Sequence, residues 1–178
     1  MHTTRNLILA VDWSANTYKH SKKSAVYVLL AVEATRLLEL SKKFGWIKHC
    51  RKIGSKKRRM EYLRTFYANF DPNLFSFIGI YSSVPCLLVD LRQLLPRCKI
   101  AVLDDYVFEV LRKKHKLYFG DIVVFREGEL NNGVLRKLSL VADNLSHLVR
   151  RIEDVFPESC QDVLHFLMRT SKLVLQKI

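Results

Sequence analysis

The chain has 178 residues and carries 30 Lys and Arg against 17 Asp and Glu, which gives a formal net charge of +13. Its content of 49% hydrophobic and 26% charged residues excludes a disordered chain. No apolar run approaches the roughly 20 residues of a membrane span, and we expect no secretory signal from the pattern of the first residues. We therefore expect a single cytoplasmic domain over residues 1–178, long enough to build a core without disulfides.

The positive charge lies in two segments of the chain. Residues 42–64 contain ten basic residues and one acid, and residues 112–116 contain four more basic residues. Concentrated positive potential attracts a polyanion, most often nucleic acid. A solvated helix face is the alternative interpretation. Binding to an acidic membrane surface is a weaker alternative because residues 55–64 lack the bulky apolar face that an interfacial helix needs. The predicted nucleic-acid contacts are Lys48, His49, Arg51, Lys52, Lys56, Lys57, Arg58, Arg59, Arg112, Lys113 and Lys114.

In the first half of the chain, the apolar runs predict several strands, and a helix follows them. Residues 33–43 fit either a helix or a strand. Ser55 is a candidate N-cap because apolar residues recur at three- and four-residue steps after it, over residues 56–69. Strands are predicted over residues 7–11, 25–32 and, from its aromatic residues, 44–50, with a polar turn over 14–24.

In the second half, short strands alternate with amphipathic helices. Strands are predicted over 74–81, 99–103 and 122–125, and helices over 84–95, 106–116, 138–155 and 158–177. This order favours an α/β fold around a mixed sheet with flanking helices. The last helix, within residues 158–178, is expected to pack on the same domain.

Carboxylates follow two of the predicted strands. Asp12 and Asp104 each come directly after an apolar run, and ligands of α/β sheets bind where strand ends meet. Asp143 lies inside an apolar helix, where a buried acid needs a partner or a cation. Three carboxylates at one point suit Mg²⁺ or Mn²⁺. Each acid also has a structural alternative: a turn cap for Asp12, a helix N-cap for Asp104, and a pair with Arg150 or His147 for Asp143.

The sequence contains no motif typical of nucleotide-binding enzymes, of serine hydrolases, or of zinc or redox proteins. The sequence has neither a Gly-rich phosphate loop nor a G-x-S-x-G elbow. The four cysteines lie far apart without a C-x-x-C pair, which does not fit a zinc or redox site.

Four short motifs occur in an order that resembles a known family. They are Val11-Asp12-Trp13-Ser14-Ala15, His49 with Lys52-Ile53 and Arg58-Arg59, Val102-Leu103-Asp104, and Leu138-Ser139-Leu140-Val141-Ala142-Asp143. In this order they resemble an uncharacterised RNase H-like family, the domain of unknown function 3800. The resemblance implies an RNase H-like fold in which Asp12, Asp104 and Asp143 are catalytic and hold Mg²⁺ or Mn²⁺.

The chain departs from the pattern of that family at three points. Trp13 stands where an acid would follow Asp12, the Gln of the last motif is replaced around Ser139-Leu140, and residues 44–54 lack the carboxylate expected before the basic helix. Glu33 and Asp105 are the candidates to replace that carboxylate, and Asp105 is therefore included among the predicted metal ligands. His49 and His147 are candidate proton carriers.

The sequence therefore predicts a metal-dependent nuclease that acts on nucleic acid. The alternative is a catalytically inactive RNase H-like module that binds nucleic acid or another partner. A basic partner protein in a larger assembly is a third hypothesis. The sequence does not choose between DNA and RNA, because it contains no base-reading motif.

Overall fold

The computed structural model describes residues 5–15, 25–131 and 133–175. In these ranges six strands form one mixed sheet in the order β5-β4-β1-β2-β3-β6. Neighbours β1, β2 and β3 are antiparallel, whereas β4 and β5 run parallel to β1, and β6 runs parallel to β3. The strands are β1 (Leu7–Ser14), β2 (Val26–Glu33), β3 (Phe77–Tyr81), β4 (Cys98–Leu103), β5 (Val123–Arg126) and β6 (Lys172–Val174).

Helices cover both faces of this sheet. A π-helical segment, Val110–Lys114, continues α4. The helices are α1 (Leu37–Lys43), α2 (Lys56–Asn69), α3 (Val84–Leu94), α4 (Asp105–Glu109), α5 (Val134–Arg150), α6 (Ile152–Val155) and α7 (Cys160–Thr170). The predicted α/β class, a mixed sheet with flanking helices, is confirmed.

Strand β1 contributes to two separate cores. Ile8 and Ala10 belong to the core beneath α5, whereas Leu9 and Val11 belong to the core beneath α3 and α4. Because both faces of the sheet are covered, β1 consists of a continuous apolar run rather than an alternating one. Asp12 is the next residue on the α5 face, since side chains of a strand alternate between its two sides.

Helix α5 crosses the sheet beneath a second layer of helices. It contacts β1 and β2 on one side and α1 and α2 on the other. Residues Leu138–Val149 are accordingly all buried, including polar ones. This burial explains why α5 is so apolar, and it places the polar side chains of α5 beside the end of β1.

The predicted strand over residues 44–50 is wrong. These residues form turns that lead into a 3₁₀ helix, Cys50–Lys52. The buried members of the segment are Phe44, Ile47 and Cys50, which recur every third residue rather than every second. Aromatic content suggested a strand, but this spacing suits a tightly coiled segment with one buried side.

The end of the chain also differs from the prediction. The last helix stops at Thr170, and Lys172–Val174 form β6 instead of continuing to residue 177. The hydroxyl groups of Thr170 and Ser171 donate to the carbonyl oxygens of Phe166 and Leu167. Such bonds compete with helix continuation.

Two further predictions concern helix and turn boundaries. Helix α5 begins at Val134 and ends at Arg150, so the predicted helix over residues 138–155 joined α5 to the separate α6. Of the predicted turn at residues 14–24, Ser14 belongs to β1, and residues 16–24 lie outside the described residues. Within the ranges that the structure describes, no helix has the length and apolar character required to span a membrane.

Candidate metal centre

Three acids meet at the carboxyl ends of the parallel strands. Asp12 lies near the end of β1, Asp104 directly follows β4, and Glu127 directly follows β5. Because β1, β4 and β5 are parallel neighbours in register, these residues come to the same edge of the sheet. One carboxylate oxygen of each lies within 4.8 Å of the other two. We call Asp12, Asp104 and Glu127 the acid cluster.

Asp12 is the most buried member of the acid cluster. Its side chain accepts a hydrogen bond from the Ser146 hydroxyl at 2.9 Å, and the residue is 3% exposed. Burial raises the pKa of Asp12 well above its ordinary value, and the negative charges of Asp143, Asp104 and Glu127 raise it further. The ionised form of Asp12 is therefore disfavoured at this position.

Asp104 serves as a helix cap and still has an oxygen available. Its Oδ1 accepts hydrogen bonds from the backbone N–H groups of Tyr106 and Val107, at 2.8 and 3.1 Å. Burial raises its pKa, although these two bonds act in the opposite direction. The roles of Asp104 as an N-cap and as a candidate ligand are compatible because the cap uses Oδ1 and a carboxylate has a second oxygen.

Asp143 is joined to the acid cluster through a histidine. Its Oδ2 lies 3.0 Å from the backbone N–H of Cys50, which donates to it, and 3.3 Å from Nδ1 of His49. Nε2 of His49 lies 2.8 Å from Oε1 of Glu127. Contacts with Asp143 and Glu127 raise the pKa of His49 to about 10. His49 is thus a cation at neutral pH that bridges two carboxylates.

The pKa of Asp143 is lowered, whereas those of Asp12 and Asp104 are raised. Burial acts to raise it, but the contact with His49, the neighbourhood of His147 and the Cys50 N–H hold the pKa below its ordinary value. Asp143 therefore remains ionised beside Asp12, and its charge contributes more to the raised pKa of Asp12 than that of Asp104 does.

A second histidine lies behind Asp143 on α5. His147 Nε2 is 3.6 Å from Oδ1 of Asp143, and its Nδ1 is 3.2 Å from the Ser14 hydroxyl. Arg150 donates to that hydroxyl from Nε at 2.6 Å. Burial lowers the pKa of His147 to about 4, and the positive charges of Arg150 and Arg51 lower it as well. His147 is neutral at pH 7 and therefore differs in charge from His49.

The first basic segment adjoins the acid cluster. Its residues 50–52 form the 3₁₀ helix whose first N–H binds Asp143, and Lys48 O accepts a hydrogen bond from Asn144 of α5 at 2.9 Å. Arg59 is turned inward and donates to the carbonyl of Ile53 at 3.1 Å. The exposed cations of this segment are Lys42, Lys43, Lys48, Arg51, Lys52, Lys56, Lys57, Arg58 and Arg64.

The acid cluster has the chemistry of a divalent cation site. All three candidate ligands are carboxylates, which Mg²⁺ and Mn²⁺ prefer. Oε1 of Glu127 is buried and, within the described part of the chain, accepts no well-directed hydrogen bond despite its short contact with His49. A divalent cation would add to the single positive charge that His49 supplies to these carboxylates.

The structure places the other predicted ligands differently. Asp105 is half exposed and its Oδ1 binds Nε of Arg126 at 2.9 Å. Glu33 pairs in register with Leu7, at the opposite end of β1 from Asp12. His49, predicted as a nucleic-acid contact, directs its ring nitrogens at Glu127 and Asp143.

Glu127 was not among the sequence candidates. The predicted strand ended at Phe125, so Glu127 was not recognised as the acid that follows a strand. The same pattern that selected Asp12 and Asp104 recurs here, with β5 extended by one residue to Arg126. A search for every apolar strand that ends at an acid would have found it.

The described fold was compared with known proteins. No family model and no curated protein sequence matches the chain. The crystal structure of the ribonuclease H2 from Pyrococcus horikoshii OT3 is similar to it, with a TM-score of 0.42 and 11% sequence identity, over 87% of this chain and 78% of that chain. At this identity the likeness concerns the course of the chain only, and the residues of the acid cluster have to be judged by their own geometry.

Proposed function

We propose that this chain is a metal-dependent nuclease that hydrolyses phosphodiester bonds in nucleic acid. The observation that carries the proposal is the convergence of Asp12, Asp104 and Glu127, one oxygen each within 4.8 Å, at a buried sheet edge. Burial and three neighbouring acids raise the pKa of Asp12, so its ionised form is disfavoured until a cation binds. A bound Mg²⁺ or Mn²⁺ would supply Lewis-acid stabilisation of charge on a phosphodiester.

In this proposal Asp12, Asp104 and Glu127 hold the metal, and the predicted role of Asp143 changes. Asp143 was predicted as a ligand and catalytic residue, but its Oδ2 already contacts His49 and the Cys50 N–H. We assign to Asp143 the task of holding His49, which in turn orients Glu127. The acid cluster then keeps its spacing before the metal arrives.

The proposed substrate follows from the charge around the acid cluster. The basic segment that contains Lys48, Arg51 and Lys52 lies next to Asp143, so phosphates bound there would be close to the acid cluster. Each cation that neutralises a phosphate adds about one to the slope of affinity against salt. Arg51→Ala is therefore expected to reduce the slope of log Kd against log salt concentration by about one, as measured by fluorescence anisotropy.

The arrangement also supports the family assignment as a proposal. The four motifs behind the resemblance to the domain of unknown function 3800 contribute Asp12, His49, Asp104 and Asp143. All four lie at one edge of the sheet and interact directly or through Glu127. Motifs far apart in sequence that assemble at one place favour a shared site over coincidence.

One observation favours the alternative, a binding module without catalysis. His49 has a pKa of about 10 and supplies a resident positive charge between Glu127 and Asp143. That charge reduces the need for a metal at the acid cluster. Nucleic-acid binding would then depend on the basic segment alone and would persist after removal of Asp12.

Cleavage assays separate the two functions. Labelled single-stranded and duplex DNA and RNA are incubated with the protein and Mg²⁺ or Mn²⁺, and products are resolved on gels. The nuclease proposal expects cleavage that Asp12→Asn and Glu127→Gln abolish and that Asp105→Asn, which alters an exposed acid paired with Arg126, retains. Salt-dependent binding without cleavage in either metal would contradict the nuclease and support the binding module.

A further inference from the structure

Three aromatic side chains form a column next to the acid cluster. The rings of Trp13 and Tyr106 stack with centroids 4.1 Å apart and planes inclined by 28°. Tyr27 lies on the other side of Trp13 at 6.3 Å and 22°. Exposure increases along the column, from 8% at Tyr27 to 44% at Tyr106. The column therefore has a buried end and an end open to solvent.

The backbone fixes this column to the acid cluster. Trp13 follows Asp12 directly, and the N–H of Tyr106 donates to Asp104 Oδ1 at 2.8 Å. Successive residues of a strand point to opposite faces, so Trp13 lies on the α4 side of the sheet and Asp12 on the α5 side. The α-carbons of Asp12 and Trp13 are only about 3.8 Å apart. A ligand that covers this edge of the sheet can therefore contact both Trp13 and Asp12.

We propose that Trp13 and Tyr106 form a stacking platform for a nucleobase, and that the substrate is single-stranded nucleic acid. This inference rests on the proposed function and specifies its substrate. Every base has a π face that can stack on an aromatic ring without regard to sequence. In a duplex these faces are covered by neighbouring bases, so only an unpaired strand can offer one at low cost.

Both basic segments of the chain belong to elements near the platform, which favours a polyanion as its occupant. The first basic segment adjoins the acid cluster on the α5 side, through the contact of Cys50 with Asp143. On the α4 side, the guanidinium of Arg112 lies 5.9 Å from the centre of the Phe108 ring, and Phe108 is two residues after Tyr106. Lys114 follows and is exposed. Aromatic rings between cationic surfaces are typical of proteins that bind single strands.

The test compares single-stranded and duplex binding in matched variants. A labelled twelve-nucleotide oligothymidylate and the corresponding duplex are titrated without divalent metal at low salt, with fluorescence anisotropy as the readout. Tyr106→Ala is expected to weaken single-strand binding by about fivefold to thirtyfold, because one stacked base is lost. Duplex binding is expected to change less than twofold, and Tyr106→Phe is expected to bind as the wild type does.

Tyr118→Ala is the matched control. Tyr118 is 84% exposed and lies beside Arg5 and Pro96, at the opposite end of the parallel strands from the acid cluster. Its loss is expected to leave both affinities unchanged. A second readout uses Trp46→Phe, which leaves Trp13 as the only tryptophan of the chain. Quenching of its fluorescence by the oligonucleotide is expected.

The outcomes distinguish the platform from the proposed function. If Tyr106→Ala and Tyr118→Ala bind the single strand equally well, or if Trp13 fluorescence does not change, the platform is wrong while nucleic-acid binding stands. If the wild type binds neither the single strand nor the duplex, the proposed function itself is wrong. A selective loss in Tyr106→Ala supports both.

Discussion

Two buried aspartates of this protein have opposite surroundings. Asp12 is 3% exposed and Asp90, on α3, is 4% exposed. Asp90 accepts a hydrogen bond from the Tyr81 hydroxyl at 2.7 Å on one oxygen and contacts Nζ of Lys172 at 2.7 Å on the other. Asp12 has one donor, Ser146, and three acids around it. The two aspartates are thus equally buried, but the charge of Asp90 is balanced by a cation and a hydrogen-bond donor, whereas Asp12 lies among other acids.

The contrast teaches how a structural carboxylate differs from a candidate ligand. The fold supplies Asp90 with a cation and a hydroxyl, and Gly79 leaves space for the Tyr81 ring, since a Cβ there would lie 2.1 Å from the Tyr81 hydroxyl oxygen. For Asp12 the fold supplies more negative charge. Burial alone does not identify a functional acid, but burial without compensation does.

The largest expected effect is on cleavage. Asp12→Asn is expected to lower the cleavage rate by about 100-fold or more, because a metal ligand is lost. Asp90→Asn makes the same chemical change in the balanced network and is expected to stay within about twofold of the wild type, apart from reduced stability. Initial rates with Mn²⁺ at a temperature where both variants are folded provide the measurement. Equal losses in both variants would contradict the distinction.

Metal binding should stabilise the protein through Asp12 and the acid cluster, and not through the contacts of Asp90. At a Mn²⁺ concentration of about 1,000 times the dissociation constant, the expected gain in the free energy of unfolding is about 4 kcal/mol. For a chain of this size, that corresponds to a rise in Tm of roughly 8–16 °C. Asp90→Asn should keep this gain and Asp12→Asn should lose it, as followed by circular dichroism. A Tm rise that survives in Asp12→Asn would place the ion elsewhere.

Two of the three members of the acid cluster were predictable from the sequence because the relevant signal was local. Asp12 and Asp104 each follow an apolar strand, and that pattern is visible without any knowledge of the fold. Glu127 carries the same signal, but the charge of Arg126 hid the last residue of β5. The proximity of Glu127 to Asp12 depends on β5 lying beside β4 and β4 beside β1, and this strand order is set by packing rather than by local pattern.

The parts of the fold that sequence reasoning missed have a similar cause. β6 has three residues and is a strand because it pairs with β3, a contact between residues far apart in the chain. In the segment from Phe44 to Cys50, Phe44 is buried in the core whereas Trp46 is exposed, so its aromatic residues do not indicate strand pairing. Long apolar elements such as β1 and α5 were recognisable because their own composition demanded burial.

The stability of the protein should depend on pH through His147, which lies beside Asp143 near the acid cluster. The pKa of His147 is about 4 in the folded protein against an ordinary 6.5, so the unfolded chain binds more protons between these values. Stability from this group is complete above pH 6.5 and is lost as the pH falls to about 4. The full effect is about 3 kcal/mol.

Urea denaturation at several pH values measures this dependence. His147→Gln is expected to be less stable than the wild type at pH 7 and to approach it near pH 4. Asp90→Asn, on the opposite face of the sheet, should keep the slope of the wild type over that range. A slope unchanged in His147→Gln would assign the pH dependence to other groups.

The smallest expected effect compares one hydrogen-bond donor in each network. Tyr81→Phe removes the hydroxyl that donates to Asp90 and should lower the free energy of unfolding by about 1–2 kcal/mol. Ser146→Ala removes the donor to Asp12 and should cost less than about 1 kcal/mol in the metal-free protein. The difference arises because the pKa of Asp12 is already raised, so its carboxyl can take up a proton when a donor is lost.

With Mn²⁺ bound, Asp12 has to stay ionised, and the cost of Ser146→Ala should increase toward that of Tyr81→Phe. An equal cost for both variants without metal would mean that Asp12 is as well compensated as Asp90, and the acid cluster would then need no cation.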